Sequence, residues 1–216
     1  MRIRGIMFDL DGTLANTLPD ILAAANHAVT TANLPPVDVE QVRRLVGYGA
    51  RHLLEGALGP DATEAEITAG LARFRGYYAD HGLDYVQAYD GIDDLLDALE
   101  ARGIVLTILS NKPDPAVHQV ATHLFAASRF RVIQGACDEL PLKPDPTAAH
   151  AVAEKAGLPP DQWAYVGDTA VDIKTGHAAG MCAVGVTWGF RDRAELTGAN
   201  ADVIIDAPME LMQHLD

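Results

Sequence analysis

From Gly91 onward, β-rich apolar runs alternate with segments of helical period, and this alternation constrains the fold more than any other feature of the chain. A helix over Ile92–Ala101 stops at Gly103, a strand begins at Ile104 and runs to Leu109, and a helix follows from Asp114 to Phe125. A short strand at Arg131–Ile133 leads to a helix from Asp145 to Ala156, closed by Gly157. The strand Ala164–Val166, a helix from Val171 to Ala179 closed by Gly180, and short strands at Ala183–Val186 and Asp202–Ile205 complete the series. Strands that alternate with helices pair in parallel through right-handed crossovers, so an α/β fold with a parallel sheet is expected. The stretch from Leu18 to about His81 reads differently. Apolar residues there recur at three- and four-residue spacing with no β-rich run between them, punctuated by Pro35-Pro36, Gly47 to Gly49 and Gly59-Pro60. A helical insertion after the first strand accounts for both patterns.

A length of 216 residues suits one α/β domain with such an insertion, and 49% hydrophobic residues suffice for its core. No tract is apolar for long enough to span a bilayer, and Asp9 and Asp11 interrupt any signal-peptide pattern near the start. Cys137 and Cys182 lack redox or metal-ligand spacing, which fits free thiols in a reducing cytoplasm. A formal net charge of −14 argues against nucleic acid as a partner. An acidic protein that handles anions must concentrate positive charge locally, and a divalent cation with Lys143, Lys112 and Arg51 would provide it.

The chemistry gathers at strand ends. Gly5 to Leu14 is an apolar strand that delivers Asp9 and Asp11 into a glycine-containing turn beside Thr13. Residues two apart on a strand share a face, and like charges this close need a cation between them or a shared proton. Taken alone, the turn is equally well an ordinary solvated Asp-Gly turn. Three further clusters follow: Ser110-Asn111-Lys112 after the strand at Ile104, Leu142-Lys143-Pro144-Asp145-Pro146, and Gly167-Asp168 with Asp172 after the strand at Ala164. Each has a plain alternative: a strand-end hydroxyl, a surface lysine, or acids that complement a helix N-terminus.

Taken in order, the four clusters resemble the four motifs of the haloacid dehalogenase-like hydrolase superfamily, over nearly the whole chain. Val46 to Ala50, Ser110 to Pro113 and Val184 to Phe190 are most similar to the phosphoglycolate phosphatases within it. The resemblance implies a Rossmann-like core over 1–15 and 86–216 and a helical cap over 16–85, hinged near Ala15-Asn16-Thr17 and Val86 to Ala88. It implies Asp9 as nucleophile through an aspartyl-phosphate and Asp11 as general acid and then base, with its backbone carbonyl on the metal. Asp168 would supply the hard oxygen ligand for Mg2+, alongside Asp9, and Asp172 would orient a metal-bound water or hold Lys143. Ser110 and Lys143 would contact the phosphoryl oxygens, Gly12 and Thr13 would let backbone donors approach them, Asn111 would support the site, and Lys112 would reach substrate. Gly47-Tyr48-Gly49 with Arg51 would read the substrate from the cap, although the family often has a small polar residue where Tyr48 stands.

The expected activity is hydrolysis of a small phosphomonoester, 2-phosphoglycolate first, by a cytoplasmic monomer or homodimer with no membrane partner. Sugar-phosphate phosphatases, pyrophosphatases and phosphomutases of the same superfamily are the alternatives. A phospho-aspartate signalling domain is the non-enzyme alternative, and the long insertion after the first strand speaks against it. His118, His123, Trp163 and Trp188 carry no spacing that marks a site and read as surface or packing residues.

Overall fold

The computed structural model describes residues 3–215. Its elements run in the order β1 (Gly5–Phe8), β2 (Ala15–Asn16), α1 (Leu18–Thr30), α2 (Val39–Leu45), α3 (Ala50–Leu58), α4 (Glu64–His81), β3 (Gln87–Ala88), α5 (Ile92–Ala101) and β4 (Val105–Pro113). Then come α6 (Asp114–Leu124), β5 (Phe130–Ala136), α7 (Thr147–Ala156), β6 (Trp163–Gly167), α8 (Ala170–Ala178), β7 (Cys182–Val186), α9 (Arg193–Gly198) and β8 (Val203–Ile205). Six strands form one sheet in the order β5-β4-β1-β6-β7-β8, every pair parallel, as the alternation of strands and helices requires.

The central strand β1 is buried along its whole length, and its residues divide between the two faces of the sheet. Ile6 and Phe8 join one apolar cluster with Leu106, Ile108, Ala164 and Val166, whereas Met7 joins the opposite cluster with Leu109, Trp163 and Tyr165. The period-2 alternation of a strand is thus written into three adjacent strands, and because both faces are covered they read in sequence as unbroken apolar runs. The chain moves outward from β1 through β4 to β5, then crosses back and moves outward through β6, β7 and β8. The reversal falls at the carboxyl end of β1, where open α/β sheets bind ligands.

Helices α1 to α4 pack around an apolar cluster of their own that includes Leu18, Ile21, Val42, Leu53, Leu54, Phe74 and Tyr78. At the base of this insertion β2 pairs antiparallel with β3, Ala15 opposite Ala88 and Asn16 opposite Gln87. The sequence pattern does not reveal this ribbon, because two residues are too few to carry a period. Three other elements differ from expectation. Strand β4 continues through Ser110, Asn111 and Lys112 to Pro113, which places those residues at the carboxyl end of the strand itself. Helix α7 starts at Thr147, after Pro146 at its N-cap, and α9 has no counterpart in the sequence reading.

Candidate active site

Asp9 leaves the end of β1 with its N–H donated to the Val166 carbonyl of β6 at 2.9 Å, so the neighbouring strand fixes the direction of its side chain. The Lys143 ammonium stands 3.0 Å from Asp9 Oδ1 and 2.7 Å from Asp172 Oδ1. The contact with Asp172 is a hydrogen bond; the one with Asp9 is an ion pair out of hydrogen-bonding alignment, and Asp9 Oδ1 is buried with no donor aimed at it. Lys143 is placed by its backbone. Asn111 on β4 accepts the Lys143 N–H at 2.8 Å through Oδ1, and donates through Nδ2 to the Lys143 carbonyl at 3.0 Å and to the Gly47 carbonyl at 2.9 Å. One amide therefore ties the lysine loop and the insertion loop to the carboxyl end of β4.

Asp168 follows β6 and is fully buried. Its Oδ2 accepts the Phe190 N–H at 2.7 Å, and its Oδ1 takes a long hydrogen bond of 3.3 Å from the Thr13 hydroxyl. Gly12, at φ +86°, has no room for a side chain, because a Cβ would collide with the Asp168 carboxylate. Gly189 is equally confined, between the Gly12 carbonyl and Asp168. Asp172, at the third position of α8, accepts from the Thr169 N–H and hydroxyl at 3.1 and 2.7 Å, forming a capping box. It thus serves the helix N-terminus and Lys143 together.

Burying these acids has electrostatic consequences. Burial pushes the Asp9 carboxyl up to about 7, against the pull of Lys143 and with the push of Asp172 and Asp11. Burial, then Asp172 and Asp9, likewise raise the Asp168 carboxyl well above the usual carboxylate range. Burial works against the Lys143 ammonium, yet the facing Asp172 and Asp9 outweigh it and hold its pKa well above the ordinary value. Asp9, Asp168 and Asp172 can each offer one oxygen within 4.8 Å of the others. Asp172 is engaged at both oxygens, which leaves the undonated Asp9 Oδ1 and the weakly bonded Asp168 Oδ1 as free acceptors. A buried set of hard oxygen donors with spare negative charge fits Mg2+.

The Asp11 side chain lies outside that set. It accepts from the Thr17 hydroxyl at 2.7 Å and from the Lys112 ammonium at 3.0 and 3.2 Å. Lys112 Nζ also sits 4.4 Å from the centre of the Tyr78 ring of α4. Its charge is therefore shared between Asp11 and Tyr78 at the floor of the cavity. Ser110, 4% exposed, keeps its hydroxyl beside the Lys112 N–H at 3.4 Å and faces the cavity.

Arg51 departs most from expectation. It lies outside the cavity, half exposed, bound to both oxygens of Glu64 and to Glu55 one turn along α3. Two acids of its own neighbourhood meet its charge before any ligand does. Tyr48 is exposed and leans against His52, with ring centres 5.0 Å apart. From that loop Gly47 reaches the site through its carbonyl bond to Asn111.

A cavity of about 260 Å3 opens where the strand ends meet the insertion. Asp9, Asp11, Ser110, Asn111 and Lys112 form its floor, and Ile21, Leu53, Phe74, Arg75 and Tyr78 lie along its insertion side. Sequence reasoning missed Thr17, Tyr78, Arg75 and the Gly189-Phe190 turn. Only the last carried a signal, since Val184 to Phe190 belongs to the resemblance, whereas Tyr78 and Arg75 read as ordinary residues of an amphipathic helix.

Among the described residues no helix is long and apolar enough to cross a membrane. The chain is 33% identical to N-acetylmuramic acid 6-phosphate phosphatase of Pseudomonas aeruginosa over 219 residues, covering all of this chain and 96% of that protein. It is 33% identical to a phosphoglycolate phosphatase of Haemophilus influenzae, with 97% of each chain covered. The fold matches a crystal structure of a predicted phosphoglycolate phosphatase from Haemophilus somnus with a TM-score of 0.92 at 30% identity, covering 100% of this chain and 99% of that one. Residues 6–186, which hold all four strand-end clusters, match the haloacid dehalogenase-like hydrolase profile, and the chain belongs to that family.

Proposed function

We propose that the chain is a Mg2+-dependent phosphatase that hydrolyses small phosphomonoesters through an aspartyl-phosphate on Asp9. The observation that carries this reading is Asp9 itself, a buried carboxylate at the reversal point of the sheet, facing Lys143 and Asp168 and opening into the cavity. Asp9 and Asp168 would hold the cation with Asp172 beside them, and when bound it offsets the charge of the acids and of the phosphoryl oxygens.

In the first step an Asp9 oxygen attacks phosphorus, the bond from phosphorus to the leaving oxygen breaks, and Asp11 gives the departing alcohol its proton. Lys143 and Ser110 hold the phosphoryl oxygens as their charge develops. Asp11, which accepts from the Lys112 ammonium at 3.0 Å and from the Thr17 hydroxyl, is left as the carboxylate once its proton has gone to the alcohol. In the second step it accepts a proton from water as that water attacks the aspartyl-phosphate, releasing inorganic phosphate and restoring Asp9. The segment 16–85 acts as a cap whose apolar wall keeps bulk water from the reacting centre.

Two leaving groups have support. Phosphoglycolate phosphatases recur among the relatives, which makes 2-phosphoglycolate the first candidate. N-acetylmuramic acid 6-phosphate is the second, favoured by the relative of that activity and by a cavity of about 260 Å3 with an apolar wall, more room than glycolate needs. Phosphate release should be measured from both, and from neutral sugar phosphates, with Mg2+ and after EDTA. Multiple turnovers that EDTA stops reversibly are expected. Phosphorylation of the protein without turnover would make it a signalling domain instead, and full activity in EDTA would remove the cation from the mechanism.

A further inference from the structure

Among the described residues, Arg43, Arg51, Arg129, Arg191 and Arg193 meet carboxylates, whereas Arg4, Arg44, Arg73, Arg75, Arg102 and Arg131 do not, and of these six Arg75 alone borders the cavity. Of the cations that line the cavity, Lys112 is matched by Asp11, while Arg75 has no ion pair and no hydrogen bond. Arg75 stands on α4 one turn before Tyr78 and Ala79, so all three occupy one face of the helix along the cavity wall. Tyr78 touches Lys112, and Lys112 touches Asp11. Arg75 therefore lies three residues, about 4.5 Å along the helix axis, from the tyrosine that contacts Lys112. Leu53, Phe74 and Ala116 line the same cavity and contribute apolar surface.

Arg75 is exposed, so water solvates its guanidinium, yet it borders the cavity and no carboxylate of the described residues holds it, which leaves it free to meet an anionic group of a ligand. A phosphate at Asp9 is already served by Lys143 and Ser110 and needs no second cation at this distance. We infer that Arg75 is a specificity-determining residue that binds a carboxylate at the far end of the leaving group. The preferred substrate is then a phosphomonoester of a carboxylated alcohol with an apolar-faced body longer than glycolate. A guanidinium suits the task because it meets a carboxylate with two parallel N–H donors. This inference rests on the phosphatase reading above and replaces the cap-loop arginine as the reader of charge.

The test compares pairs of substrates that differ in the group bearing the carboxylate: N-acetylmuramic acid 6-phosphate against N-acetylglucosamine 6-phosphate, which lacks the whole lactyl ether, and 2-phosphoglycolate against 2-hydroxyethyl phosphate. Wild type, Arg75→Ala and Arg75→Lys are assayed on all four. Wild type should prefer the acid of each pair, more strongly in the larger pair. Arg75→Ala should reduce that preference in the larger pair by roughly ten- to hundredfold in kcat/KM, mainly through KM, and Arg75→Lys should recover part of it. A preference in the larger pair that Arg75→Ala leaves intact overturns the inference while the phosphatase reading stands. Failure of wild type to release phosphate from any of the four defeats the phosphatase reading and this inference together.

Discussion

Asp9 is buried, acidic and short of donors, and each of these properties can be measured apart from catalysis. Its carboxyl, raised from 3.8 to about 7, binds a proton in the folded state over a range where the unfolded chain has lost it. Folded protein then holds more protons than unfolded, so stability falls as pH rises from about 4 to about 7, by an amount on the order of a few kcal/mol. In EDTA, Tm should therefore drop between pH 5 and pH 8. Asp9→Asn, which cannot ionise, should flatten that drop and raise Tm at pH 8, as scanning calorimetry would record. The same variant should lose kcat by roughly a thousandfold or more, because an amide does not attack phosphorus. Activity within tenfold of wild type would refute Asp9 as nucleophile. That Asp9, Asp168 and Asp172 come together was legible from the sequence because the first two follow short apolar strands and Asp172 opens the next helix, whereas nothing in the sequence turned the Asp11 side chain to Lys112. The cations were less so. Lys112 and Arg51 have long side chains that follow the nearest carboxylate, and only the fold reveals that these are Asp11 and Glu64.

At the scale of elements, the segment between β7 and α9 does more than connect them. The Phe190 N–H holds Asp168, the Phe190 ring packs into the apolar cluster of the four-helix insertion, and Arg191 donates to the carbonyls of Arg43, Arg44 and Val46 at the end of α2. A helix leaves its last carbonyls unpaired and its C-terminus partly negative, so a guanidinium there satisfies both needs. Position of the insertion and geometry at Asp168 are thereby joined through two adjacent residues. Arg191→Ala should cost about 1–3 kcal/mol of stability. It should also raise the Mg2+ concentration for half-maximal activity at least several-fold, with Arg191→Lys intermediate. A loss of Tm with unchanged Mg2+ dependence would mean that the segment braces α2 and nothing else. The helices of the insertion were readable from their period, but this strap was not. Hydrogen bonds from a side chain to distant backbone carbonyls leave no pattern in the sequence.

For the whole molecule, the parallel sheet was readable since each crossover helix announces the next strand, and the insertion stood out as the one long stretch without a strand. That insertion has a consequence for how the molecule comes into being. The central strand is made before its partners, since Gly5 pairs with Val105 and with Trp163, one hundred and more residues later. Closing loops of that length is entropically slow, whereas the contacts among α1 to α4 are local. Pulsed hydrogen exchange during refolding should find amides of α1 and α4 protected before those of β1, and simultaneous protection would refute this order. On the ribosome, where synthesis proceeds from the N-terminus, β1 emerges as an apolar ribbon with both edges open. The helices α1 to α4 are what the nascent chain can build while that strand waits for its partners.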